Sequence, residues 1–501
     1  MSGKVRHNDD EAEANIGIYA ENEGPVSRDS SVIDESYRTS RREASSPLIS
    51  QLALPAASAV ALVLIVSLIL QKRLILDPYF PGVPGGNPDA HSADHDEWGL
   101  PLLTHFEETL SQSLKQERDE LAEAAVEAYT DEYGLPVVPM QLQGVVATAL
   151  SRGQADSLPG LTVDLEDVKA FTPSGEGKAL PRKVQISKVV GFDSGAVLME
   201  AQEHDNQRVF TMRVRVVQPQ TAAKFPDKAS LVQAVRSLDQ FDEGVAIQAC
   251  KGGVHLQQPS EQGVVVPLYI ANVKGAQEAT LVNECYIFRR VQLFERLQGN
   301  LMSLDLQSQV MSRSREYIAC RLLQLVLKLQ QAGISSTNLD WNTLLMRFDG
   351  TFVLETFHSS GPFGSPLGAF AVTIPHRMEP QLALSYFASQ RSGHPVVFQP
   401  SSDMWILGTL LYEVFTNGEL PYGANKCTDM GQAQQLAEQL LANRTRSDIL
   451  RPRLDALDVP SRWKTLILRL LEPITAYRIT SVEIVKEFPD LARHISIEER
   501  R

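Results

Sequence analysis

The chain has 501 residues, 43% of them hydrophobic, and carries 61 acids against 47 Lys and Arg, for a formal net charge of -14. That apolar content suffices for one large or two ordinary folded domains and excludes a wholly disordered chain. The acidic balance excludes phosphate-backbone recognition as the main activity, because nucleic-acid binding rests on clustered Lys and Arg.

Residues 1–43 are polar, with ten acids and six bases and few large apolar side chains. Nothing there repays the entropy of ordering, so this is read as a disordered tail. No charge occurs between Glu43 and Lys72, and Leu52–Leu70 reads LALPAASAVALVLIVSLIL. Nineteen such residues are long enough to cross a bilayer. A buried core helix and a signal-peptide hydrophobic region are the competing readings, and the length of chain that precedes the segment favours a retained signal anchor over 48–71. Arg38, Arg41 and Arg42 before it and Lys72 and Arg73 after it nearly balance, with a slight bias toward a cytosolic N-terminus. The rest of the chain is then lumenal or extracellular.

Residues 72–101 are rich in Pro and Gly and read as a linker, in which His91 and His95 are solvated polar residues and not metal ligands. A helical extension is expected over 102–180. From Leu103 to Tyr133 the spacing of Leu103, Phe106, Leu110, Leu114, Leu121 and Ala125 traces one helix face, with a capping box at Thr104 and Glu107 and a stop at Gly134 and Pro136. Its apolar stripe is expected to pack on the domain that follows.

Between Pro181 and Phe294 the pattern turns to short β-branched runs, KVQISKVV, GAVLMEA, RVFTMRVRVV, VVVPLYIA and ECYIFRRVQLF, interrupted by one helix from Ala229 to Phe241. From Ser303 onward helical periodicity dominates. The order predicts an α+β, bilobal architecture, with a small β-rich lobe over 181–298 and a large helical lobe over 299–490. Cys250, Cys285, Cys320 and Cys427 form no Cys-x-x-Cys pair, so no cysteine metal site is expected. One or two disulfides and reduced core cysteines both remain open.

Several motifs carry a family resemblance. The stretch SSDMWILGTLLYEVFTNGELPYG holds a complete Asp-x-Trp-x-x-Gly in Asp403, Trp405 and Gly408, followed by an apolar helix and a Leu-Pro-Tyr turn. LILRLLEPITAYRITSVEIV places Arg478 where kinases keep a structural Arg, and GISSTNLDWNTLLM has the rhythm of a kinase catalytic loop. Residues 181–490 thus resemble a protein-kinase domain.

What that resemblance implies for chemistry fails position by position. The catalytic Asp falls at Asn338, with Ser336 and Thr337 before it, and the metal-binding Asn at Thr343. The metal-binding Asp of Asp-Phe-Gly falls at Thr356, ahead of Phe357 and His358. The phosphate-orienting Lys falls at Arg213, with Arg215 as the alternative register, and its helix partner falls near Gln233. Gly191 and Gly195 stand where a Gly-rich loop belongs, in the wrong spacing and with Asp193 between them. The acid that pairs with Arg478 is replaced, in the register Glu379-Pro380-Gln381, by Gln381. Losing a general base costs about 10²- to 10⁴-fold in rate, and losing the metal ligands removes the main electrostatic contribution to phosphoryl transfer.

With its membrane segment and N-terminal extension, the chain looks like the secreted rhoptry kinase-like family of apicomplexan parasites, including its pseudokinases. The resemblance implies a membrane-anchored pseudokinase, with no cofactor or metal expected, that binds a kinase or a host protein as scaffold or allosteric regulator. Its localisation would be a rhoptry or the parasite-containing vacuole. Two alternatives stand beside it: an atypical active Ser/Thr kinase relying on Asp340 or Glu355, and a non-catalytic sensor holding ATP through Arg213.

Overall fold

The computed structural model describes residues 106–130, 139–172, 175–193, 195–250, 263–303, 312–355, 357, 359–368 and 370–493. The expected tail (1–43), signal anchor (48–71) and linker (72–101) lie outside them. Among the described residues no helix is long and apolar enough to cross a membrane.

The expected helix from Leu103 to Tyr133 is two helices, α1 (Phe106–Thr109) and α2 (Gln112–Thr130). They break at Leu110 and Ser111, where the Ser111 hydroxyl accepts the Leu114 N–H at 3.3 Å and starts the second helix. The apolar stripe of Phe106, Leu110, Leu114, Leu121 and Ala125 is buried in the large-lobe core. A third helix, α3 (Met140–Ser151), follows, and then a strand the sequence did not announce, β1 (Thr162–Ala170). The extension is therefore not purely helical.

Strands β2 (Lys183–Asp193), β3 (Ala196–Glu203) and β4 (Val209–Val217) form a meander, and α4 (Lys228–Ala249) follows with Asp227 capping its first turn. Then come β5 (Tyr269–Val273), β6 (Ala279–Val282) and β7 (Cys285–Phe294). β7 pairs with β4 on one side and with β5 and β6 on the other. β1 joins β2 (Val163 opposite Val184) to β5 (Leu165 opposite Val273). Six strands thereby pair in a ring, β1-β2-β3-β4-β7-β5. Bulges within β1 and β2 bend the strands as closure requires. Val163, Val184, Ile186, Met199, Met212 and Leu293 share the apolar core of this lobe with Val146 and Leu150 of α3.

The large lobe is built on α5 (Arg315–Gln331) and, after the short hairpin strands β8 (Ile334–Ser336), β9 (Leu344–Met346), β10 (Phe352–Leu354) and β11 (Ser360–Pro362), on α6 (Pro380–Ser392) and α7 (Pro400–Phe415). Then come α8 (Met430–Ala442), α9 (Ser461–Leu470) and α10 (Ser481–Glu487). The sequence signature of α7 has a packing explanation. A Cβ on Gly408 would meet Leu470 Cβ at 2.9 Å and Leu471 Cγ at 3.0 Å, so only Gly lets α9 lie against α7. Trp405 is held between the stacked ring of Tyr422, 5.9 Å away, and the Arg478 guanidinium, 5.1 Å from its centroid.

Arg478 corrects the expectation built on Gln381. Its guanidinium is ion-paired with Glu379, and both side chains are at most 2% exposed. Arg478 also donates to the carbonyls of Ser401 and Glu472, each at 2.9 Å, while Glu379 accepts from Thr475 at 2.9 Å. The acid has moved to the near side of Pro380, and the ion pair is retained. All four cysteines are unpaired; burial pushes the Cys250 thiol up to about 12.

Breaking a buried, fully bonded pair leaves one charge stranded. Glu379→Ala is expected to lower the unfolding free energy by about 3–5 kcal/mol in a urea titration. Gln381→Ala should lower it far less, which is the opposite of what the Gln381 register requires.

Candidate functional site

The loop between β8 and β9 carries the positions where phosphoryl chemistry would sit. Asn338 is buried, and its carbonyl accepts the Thr343 hydroxyl at 2.9 Å. The same hydroxyl lies 2.9 Å from the Asp340 carbonyl and accepts the Asp340 N–H at 3.1 Å. Thr343 thus staples its own loop and offers nothing to a metal. Thr337, where an Arg would stand, bonds through its hydroxyl to the carbonyls of Ser359 and Val372, each at 3.1 Å. Asp340 does not face an open cleft. It accepts Arg377 Nε at 2.7 Å, and Arg377 also binds Glu413 at 2.6 Å; all three groups are largely buried. Glu355 is buried too, its N–H bonded to the Thr343 carbonyl at 2.9 Å. Thr356 and His358 lie outside the described residues.

This loop hangs on Asp403. Its carboxyl accepts the Ser336 N–H at 2.9 Å, the Ser335 hydroxyl at 2.8 Å and the Gln330 amide at 2.5 Å. Burial outweighs those bonds and pushes its pKa up to about 8, with nearby Glu379 acting in the same direction.

In the small lobe, Arg213 and Arg215 both point to α4, as alternate residues of one strand should. Arg215 binds Asp239 at 2.8 Å and Asp242 at 3.0 Å. Arg213 lies 3.7 Å from Asp242 and donates to the Gln292 side chain at 2.9 Å. The acidic partner expected to be missing near Gln233 is therefore present farther along α4; Gln233 itself is exposed. Asp239 and Asp242, three residues apart, share one helix face. Burial pushes Asp242 up to about 6, against the pull of Arg215 and Arg213. Both guanidiniums are committed to carboxylates and amide, and neither is free to orient a phosphate.

The two glycines of the expected Gly-rich loop are used by the sheet. Asp193 pairs with Ala196 where β2 meets β3. Gly191 is a strand residue opposite Leu198, and the Gly195 carbonyl accepts the Val216 N–H at 2.9 Å.

Between this hairpin and the β8–β9 loop a nucleotide would have to lie, and there the two lobes touch. Val190 and Leu198 from above, Leu345 and Val353 from below, and Phe294 and Leu297 at the connection between lobes form one apolar cluster, each at most 2% exposed. The connecting segment has its donors committed as well. Leu297 N–H donates to the Thr211 hydroxyl at 2.9 Å and Gln298 N–H to the Met346 carbonyl at 2.9 Å. Sequence reasoning missed this cluster, because apolar residues on strands read the same whether they line a slot or fill it. It also missed Arg377, whose acidic partners lie in two separate segments.

No family model matches the sequence, and no curated protein matches it. Solved structures do match. ROP2 from Toxoplasma gondii, described as a virulence factor with a protein-kinase fold and no enzymatic activity, aligns over 75% of this chain and 95% of its own, at a TM-score of 0.54 and 15% identity. A rhoptry kinase from Toxoplasma gondii aligns over 75% and 93%, at 0.53 and 15%. The chain has a protein-kinase-like fold, and its structural neighbours include rhoptry kinase-like proteins.

The folded-state pKa of Asp403 lies above its ordinary 3.8, so the folded chain holds a proton that the unfolded chain releases. Its contribution to stability is full below pH 3.8 and is lost as pH rises through about 8. Unfolding free energy measured over that window should decline more steeply for the wild type than for Asp403→Asn.

Proposed function

We propose that this chain is a membrane-anchored pseudokinase that works by presenting its surface to another protein, an active kinase or a host-cell target, as a scaffold or allosteric regulator. The observation that carries the reading is the apolar cluster of Val190, Leu198, Phe294, Leu297, Leu345 and Val353, which occupies the space a nucleotide would need. Dry, mutually packed side chains leave a planar base no room without parting the lobes. The alternative of an active transferase relies on Asp340, and that carboxylate is spent on Arg377. The alternative of an ATP sensor relies on Arg213, whose bonds go to Gln292 and toward Asp242.

The anchor is the 52–70 segment, and the kinase-like domain is on the lumenal side of it, in the secretory route that leads to a rhoptry or a vacuole. Support comes from the length and apolarity of that segment and from the likeness to rhoptry proteins. The inactivity stated for ROP2 agrees with the reading.

Calorimetric titration of ATP into the detergent-solubilised full chain is expected to give only heat of dilution, with or without magnesium. Magnesium-dependent binding, or phosphate transfer to any Ser/Thr peptide that Asp340→Ala abolishes, would overturn the proposal.

A further inference from the structure

The C-terminal end of α8 holds a feature that neither the packing nor the cleft uses. Asn443-Arg444-Thr445 is the sole Asn-x-Ser/Thr triplet in the 501 residues, and its middle residue is not Pro. Asn443 is the C-cap of α8. Arg444 takes the left-handed conformation at φ 48°, where Gly is the common choice. Two bonds close the helix: Arg444 N–H to the Leu441 carbonyl at 3.1 Å and Thr445 N–H to the Leu440 carbonyl at 2.9 Å. These main-chain bonds close the helix without using either side chain. Asn443 is exposed, Thr445 is half-buried, and among the described residues neither side chain has a hydrogen-bond partner.

From this geometry we infer that Asn443 is an N-glycosylation site. A helix end that terminates on main-chain bonds alone can carry a large hydrophilic group on its cap residue without losing a contact, and the Asn443 amide is placed outside the last turn. The donor is a polyprenyl-diphosphate-linked oligosaccharide. Asn443 Nδ2 forms a bond to the anomeric carbon and gives up one proton, while the bond from that carbon to the diphosphate oxygen breaks and polyprenyl diphosphate leaves. Thr445 supplies the hydroxyl by which the transferase recognises the triplet. The other Asn-x-Cys triplets, at Asn283 and Asn425, lack that hydroxyl.

The inference rests on the lumenal placement proposed above, so its test must separate the two. The full chain is expressed in the secretory pathway of a cultured eukaryotic cell, beside a variant carrying Gln154→Asn with Asp156→Thr, which adds a triplet in an exposed loop of the extension. Peptide mapping after amidase release should find Asn443 converted to Asp in most molecules. Asn443→Gln and Thr445→Ala should abolish the glycan, and Thr445→Ser should restore it. Modification of the added triplet with none at Asn443 would overturn the site and leave the lumenal reading intact. Modification at neither would overturn both.

Discussion

The contact of Val190 and Leu198 with Leu345 and Val353 is the constraint from which the rest of the cleft follows. A two-lobed fold built around a cofactor keeps a gap that the cofactor fills. Here the chain's own apolar side chains meet between the lobes and join them by hydrophobic burial. In the connecting segment, the N–H groups of Leu297 and Gln298 turn inward to Thr211 and Met346. Further bonds cross between lobes at Val265 N–H to the Leu354 carbonyl, 3.0 Å, and at the Gln248 amide to the Ala332 carbonyl, 2.9 Å. The domain is braced as one body.

The charged residues around the cleft are bonded into the architecture. Arg213 and Arg215 tie a strand to α4, Thr343 ties a loop to itself, and Asp340 ties that loop through Arg377 to Glu413. Each arrangement satisfies the rule that buried charge must be paired. Each also consumes the capacity that catalysis would need free.

The large-lobe helices were legible because Asp403, Trp405 and Gly408 stand within two turns of one apolar helix, although the groups they touch lie far along the chain. The replacements at Asn338 and Thr343 were legible for the same reason. Less legible were pairings that jump. Glu379 was not legible because the expected acid follows the Pro, whereas the residue that reaches Arg478 precedes it. Asp239 and Asp242 were passed over because a search for one acid near Gln233 stopped short of the next turns of α4. Strand β1 escaped because its alternation is interrupted by a bulge at Asp167, which takes φ 53°.

The ring of strands in the small lobe has a consequence for how the chain is made. Leu165 pairs with Val273, over a hundred residues downstream, and β7 ends at Phe294. During vectorial synthesis, β1 therefore emerges with no partner for its β5 edge and stays so until the whole lobe has been delivered. The edge of β1 that faces β5 is thus the last seam a nascent chain can close, and the ring is set by the order of synthesis as much as by the pairing itself.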